Sequence, residues 1–199
     1  MRLAIILMTL LAASTLAPRP AEAGKKAGIT LPDRITVAGR PLTLNGMGLR
    51  EATFLKVDVY VAGLYVETAS SDPLRLVGTD EVKRLVLRFV RDVGRDDIVK
   101  AWSDGFKHNA TAPAATLRPM IDQLNAWMPS FKDGDTLVFT YVPGTGVTVE
   151  VNGAPRGVID HAEFARSLFS IWLGPRPPTT ALKRGLLGKH PASTAEARR

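Results

Sequence analysis

RLVLRFVRDVGRDDIVKAWSDGFKHNATAPAATLRPMIDQLNAWM, residues 84–128, decides the fold class. Its first eight residues alternate. Leu85, Leu87 and Phe89 point one way, and Arg84, Val86, Arg88 and Val90 the other, the period-two pattern of a strand. The apolar spacing then becomes helical. Over residues 95–109 the stripe is Ile98, Val99, Trp102 and Phe106, and over 114–128 it is Leu117, Met120, Ile121, Leu124, Trp127 and Met128. Pro119 falls in the first turns of the second helix and predicts a kink or a later start there. A strand followed by two helices in succession breaks any β-α-β-α alternation.

The flanks repeat the pattern. Upstream, residues 34–37 and 41–44 are short strands around Ala38-Gly39-Arg40, a hairpin signal. Asn45-Gly46-Met47-Gly48-Leu49-Arg50 reads as a glycine turn, followed by a long strand over 54–67. On that strand Val57, Val59 and Val61 form an apolar face that reads as core. The opposite face runs from Lys56, Asp58 and Tyr60 to Ala62, Leu64 and Val66, which suits the wall of a cleft. Ser71-Asp72-Pro73 starts a short helix ended by Gly78. Downstream, strands at 136–142, 147–151 and 154–158 are joined by Pro143-Gly144-Thr145-Gly146 and by Asn152-Gly153, a strong hairpin signal. Asp160-His161-Ala162-Glu163 opens a helix with Phe164, Leu168, Ile171 and Trp172 as its stripe. The run from Gly174 to Pro178 stops it, and a short last helix covers 180–187. Strands, two helices, strands and two helices make an α+β protein, an antiparallel β-sheet covered on one face by a layer of helices.

The chain has 199 residues, which suits one domain at roughly 100–200 residues each. Arg2, an apolar run over 3–16 and Ala21-Glu22-Ala23 form a secretory signal peptide pattern over residues 1–23. The other reading, an N-terminal membrane anchor, needs a longer apolar run of ~20 residues. Export to the periplasm or outside the cell, after cleavage near Ala23, is therefore expected, with no stable membrane span afterwards. The domain is expected over 24–188. Residues 189–199 are polar, without periodic apolar pattern, and read as a disordered tail.

The chain has no cysteine, which excludes disulfides, thiolate metal sites and cysteine nucleophiles. Its net charge of +7 favours anionic ligands or surfaces. Nucleic acid is not expected, because the cations are scattered and no reader motif is present. His108, His161 and His190 lack ligand spacing, so no metal is expected and surface or capping roles are. No G-x-S-x-G occurs. Gly46-x-Gly48 and Gly144-x-Gly146 lack the helix that would cradle a phosphate. No cofactor is expected. What remains is Arg50 after the glycine pair, with Tyr60 on the next strand. An arginine there can clamp a carboxylate or phenolate with two hydrogen bonds. The alternative is a surface ion pair of Arg50 with Glu51 or Asp58.

Six blocks carry a family resemblance. They are Gly28-Ile29-x-Leu31-Pro32, Gly46-x-Gly48-x-Arg50, Phe54-Leu-Lys-Val-x-Val-Tyr60-Val-Ala-Gly-Leu-Tyr65-Val, Trp102-x-x-Gly105-Phe-x-x-Asn109, Tyr141-x-Pro143-Gly-x-Gly146 and Phe169-Ser-Ile-Trp-Leu-Gly174-x-x-Pro177. In this order and spacing the chain resembles the chalcone isomerase-like proteins, in particular their exported bacterial branch. The resemblance implies an antiparallel sheet under a helical layer, with a ligand cleft between them. Family enzymes close a chalcone into a flavanone, with the substrate's own phenolate as nucleophile. Arg50 matches their arginine, and Tyr60 stands where they carry a threonine. Their tyrosine, lysine and asparagine have no clear counterpart; Lys100 and Asn109 are nearest and out of register. Non-catalytic relatives bind fatty acids with the arginine and a tyrosine, a usage that Arg50 and Tyr60 resemble.

The expectation is thus an exported binding protein holding a small amphipathic anion, such as a fatty acid, in the cleft between sheet and helices. Arg50 and Tyr60 are the ligand-binding residues and also the catalytic candidates. One alternative is an isomerase or intramolecular lyase on an enone-like substrate, with Tyr60 donating to the enolate. The other is a partner-binding envelope protein with a vestigial cleft. Trp102, Phe106, Trp127 and Trp172 read as core.

Overall fold

The computed structural model describes residues 23–52 and 57–188. The expected signal peptide up to residue 22, the expected tail and residues 53–56, including Lys56, lie outside the described residues. Two sheets are present. A hairpin of β1 (Ala23–Lys26) and β2 (Ile29–Pro32) stands alone. The main sheet has β3 (Arg34–Val37), β4 (Arg40–Ala52), β5 (Val57–Val66), β6 (Lys83–Phe89), β7 (Thr136–Val142), β8 (Gly146–Val151) and β9 (Ala154–Ile159). These seven strands lie side by side in chain order, each antiparallel to the next. The helices are α1 (Pro73–Gly78), α2 (Arg95–Asn109), α3 (Ala114–Ala126), α4 (Ala162–Leu173) and α5 (Thr180–Leu186). The α+β reading therefore holds.

The core lies between sheet and helices. The sheet contributes Ala62, Leu64, Leu85, Leu87, Phe89, Leu137, Phe139, Val147 and Val149, and the helices Ile98, Trp102, Phe106, Leu117, Phe164, Leu168 and Trp172. Burying such side chains is the main favourable term of folding. On the other side of the sheet, Leu42, Tyr65 and Val82 pack with Leu31, Ile35 and Val37 in a smaller cluster. Tyr65 donates to the carbonyl of Pro32 (2.8 Å), so the β1–β2 hairpin is tied across this side. The hairpin had no signal in the sequence reading. Its turn is Ala27-Gly28, both left-handed at φ 44° and 79°, and alanine is not a residue that announces such a turn.

Local chemistry explains the element ends. Asp72 caps α1 by accepting from the Leu74 amide (2.9 Å), with Pro73 at a position where no amide hydrogen is needed. His161 caps α4 by accepting at Nδ1 from the Phe164 amide (3.4 Å). Helix α3 runs from Ala114 with Pro119 inside it, so the later start does not occur.

Two expectations are corrected on β4 and β5. Asn45–Arg50 is not a turn: it is the middle of β4. Glycine is used there because a helix backbone lies against the strand. A Cβ on Gly46 would stand 2.1 Å from the Gly185 carbonyl oxygen, and one on Gly48 2.5 Å from that of Leu182, both on α5. The expected core face of β5 is met only in part, since Val61 is fully buried and Val59 packs against the main core while the opposite face is core as well. Tyr60, Ala62, Leu64 and Val66 face the main core, whereas Val57 and Val59 are half-buried.

Candidate functional site

Cross-strand register builds the site. Arg50 on β4 lies opposite Tyr60 on β5, while Glu51 lies opposite Asp58. Val59 is therefore an extra residue, a β-bulge beside the pair. Bulges re-aim side chains next to functional sites, and here Val59 and Tyr60 both line one cleft. The cleft has a volume of about 580 Å³, within the roughly 300–1,000 Å³ of small-molecule sites. Its walls are the β4–β5 pair, helix α2 and residues 176–178 beyond α4. Val93, Ile98, Trp102 and Ile171 supply apolar lining.

Arg50 is half-buried, and its guanidinium donates to the backbone carbonyl of Glu51. Among the described residues it forms no ion pair, so the expected alternative pairing with Glu51 or Asp58 is not the arrangement found. Arg91 and Arg176, also at the cleft, likewise have no ion pair among the described residues. Two of the cleft's carboxylates are engaged: Asp104 with Lys100 (2.7 Å) and Asp92 with Lys132 (2.6 Å). Asp97 is the third lining carboxylate, so the three arginines leave a cationic excess, and such an excess at a concave, partly apolar surface concentrates anions.

Tyr60 is 5% exposed. Its hydroxyl oxygen accepts from the indole Nε1 of Trp172 (3.0 Å), and its ring meets Phe89 edge-on at 5.8 Å. Burial pushes its phenol up to about 12, against smaller lowering effects of the Trp172 hydrogen bond and the Arg50 charge. The phenol is thus protonated at neutral pH, and among the described residues its own hydrogen has no acceptor. The residues that carry this charged guanidinium and this O–H donor are cross-strand partners, and both line the cleft. That is an acceptor-binding pair suited to a carboxylate. A neutral phenol of this kind is also a hydrogen-bond donor for a developing enolate.

The remaining candidates have other work. Lys100 is exposed and paired with Asp104 on its own helix. Asn109 is buried, donates to the carbonyls of Gly105 (3.0 Å) and Arg176 (2.9 Å), and accepts from the Arg176 amide (2.8 Å). It fastens the 174–178 segment to α2 and so holds one wall of the cleft. His108 lines the cleft, with Nδ1 2.8 Å from the Asp104 carbonyl oxygen. No group of three or more potential metal ligands gathers among the described residues.

Three features were not read from the sequence. Trp172, assigned to a core stripe, is the partner of the Tyr60 hydroxyl. Arg91 and Arg176 join Arg50 at the cleft. Trp172 is named in the quoted block from Phe169 to Pro177, so a signal existed there without a role attached, whereas Arg176 falls on one of that block's unspecified positions.

The sequence profile of the family described as chalcone isomerase-like matches residues 23–188. No curated protein sequence matches the chain at significant similarity. Among solved structures, a fatty-acid binding protein of Arabidopsis thaliana is similar. It has a TM-score of 0.66 and 17% identity, over 83% of this chain and 96% of that one.

Proposed function

Because the chain belongs to the chalcone isomerase-like family, we propose that it is a non-catalytic binding protein for a small amphipathic anion such as a fatty acid. The anionic end lies against Arg50 and Tyr60, and the apolar part lies along Val93, Ile98 and Ile171 in the cleft between sheet and helices. One observation carries this reading: Arg50 and Tyr60, cross-strand partners, offer a guanidinium and a phenol O–H that have, among the described residues, no counter-ion and no acceptor respectively. An ionised acceptor there gains charge-assisted hydrogen bonds, about twice as strong as neutral ones. The fatty-acid binding activity of the Arabidopsis protein supports the same ligand class. The signal peptide pattern over 1–23 supports export, with the protein acting in the periplasm or outside the cell.

Native mass spectrometry tests the binding reading. Protein from the exported fraction is compared before and after solvent extraction, as wild type and as Arg50→Ala. A near-stoichiometric acid present in the wild type and lost in the variant is expected, because a lost bond to a charged group costs about 1.5–3 kcal/mol. An Arg50→Ala protein that retains the same acid at the same affinity refutes the assignment of Arg50. The intact mass of the exported chain tests cleavage near Ala23.

A further inference from the structure

Trp102 lies on α2, among the residues that line the cleft. It is 2% exposed. Its ring lies 5.5 Å from that of Trp172 and 6.2 Å, edge-on, from that of Phe139. Trp172 in turn bonds the Tyr60 hydroxyl, so Arg50, Tyr60, Trp172 and Trp102 form one contiguous row. The two indoles differ in one respect. Trp172 Nε1 has Tyr60 as acceptor, whereas Trp102 Nε1 is buried without any partner among the described residues. Trp102 also lines the cleft. A buried indole N–H finds an acceptor in nearly every folded protein.

We infer that Trp102 is a ligand-binding residue whose Nε1–H donates to an oxygen of the bound molecule, so that the cleft selects oxygenated amphipathic acids over plain hydrocarbon acids. The inference rests on the reading of Arg50 and Tyr60 as the anion site. The half-buried Arg50, with exposed Arg91 and Arg176 beside it, holds the ionised end toward solvent. Trp102 then faces a part of the ligand deeper than the carboxylate. A methylene chain laid against the indole would leave its N–H dry and unsatisfied. A hydroxyl, carbonyl or ether oxygen at that depth accepts it. Satisfying a buried donor in this way is worth a factor of about ten to a hundred in affinity.

The test crosses one side chain with one ligand group. Dodecanoic acid and its hydroxy and oxo positional isomers are titrated into the full mature chain as wild type, Trp102→Phe and Arg50→Ala. In the wild type at least one oxygenated isomer should bind about tenfold or more tighter than dodecanoic acid. In Trp102→Phe that preference should vanish, because the ring truncation touches both acids while the lost N–H touches one. Dodecanoic acid binding that survives in Trp102→Phe shows that the cleft is intact. Arg50→Ala should weaken all the acids together, and its failure to do so overturns the anion-site reading separately. A second readout needs no variant. Of the indole N–H resonances of the three tryptophans, that of Trp102 should move downfield with the oxygenated acid and not with dodecanoic acid. Equal affinities for all isomers in the wild type, or an oxygen preference unchanged in Trp102→Phe, overturns the inference.

Discussion

Gly46→Ala distinguishes two roles for the glycine pair ahead of Arg50. If the glycines let the backbone approach a ligand, a methyl group there blocks binding in a protein of unchanged stability. The structure assigns them to helix docking. The new Cβ would lie 2.1 Å from the Gly185 oxygen, 2.7 Å from the Gly188 nitrogen and 2.9 Å from the Leu186 oxygen. All three are backbone atoms, so no side chain can swing aside and α5 must shift outward by on the order of an ångström. Overpacking of this kind costs roughly 1–3 kcal/mol. The shift also strains the bond from Asn45 Nδ2 to the Leu186 carbonyl (2.8 Å), worth about 1 kcal/mol. A total near 3 kcal/mol lowers the melting temperature by about 6–12 °C for a domain of this size. The assay is thermal unfolding followed by circular dichroism, with ligand titration well below the transition. Lost stability with near-native affinity is expected. Unchanged melting with lost binding would refute the docking argument.

Lys83 is 4% exposed and donates to the carbonyls of Leu76 (2.7 Å) and Thr79 (2.8 Å), and burial pushes its ammonium down to about 8. The unfolded chain therefore holds more protons between pH 8 and about 10.5. Stability should rise with pH across that window by up to on the order of 1 kcal/mol per pH unit, a slope that melting curves of Lys83→Met should lack. Tyr60, Tyr65 and Tyr141, all raised to about 12, act in the opposite sense. Their contribution is intact below pH 10 and is lost as pH climbs through 12, so melting temperature against pH should peak near 10. Asn109→Ala removes three hydrogen bonds and should cost about 2–4 kcal/mol, with weaker ligand binding as residues 174–178 come loose; calorimetry and titration check both. Ala38 is exposed with φ 48° ahead of Gly39, a position that favours asparagine. Ala38→Asn should raise the melting temperature by a few degrees, for a gain of about 1 kcal/mol.

Much of the architecture was legible because its causes are local. The stripe of Ile98, Trp102 and Phe106 marks α2, and Asn152-Gly153 marks the β8–β9 turn, with φ 52° and 76° as such a turn requires. Arg50 and Tyr60 were legible as residue types on adjacent segments. Their direct opposition was not, because the register depends on bulges at Asn45 and Val59 that periodicity does not announce. The glycines of β4 were misread for a related reason. The atoms that forbid a side chain there belong to residues 182–188, which no local window contains. The pairing of Trp172 with Tyr60 spans a similar separation in the chain.

The docking of α5 on β4 has a consequence for the order in which the protein can assemble. The sheet is a meander, so each strand finds its neighbour as soon as the next one is available. Strand β4, which carries Arg50, is different: its helix-facing side at Gly46 and Gly48 packs against Leu182, Gly185 and Leu186 near the far end of the domain. A polypeptide emerging N-terminus first from a ribosome or a translocation channel presents β4 early and α5 last. The cleft wall stays incomplete until nearly all of the domain has emerged. Completion of the ligand site and completion of chain emergence are thus the same event, and a nascent chain short of residue 180 has no finished site to fill.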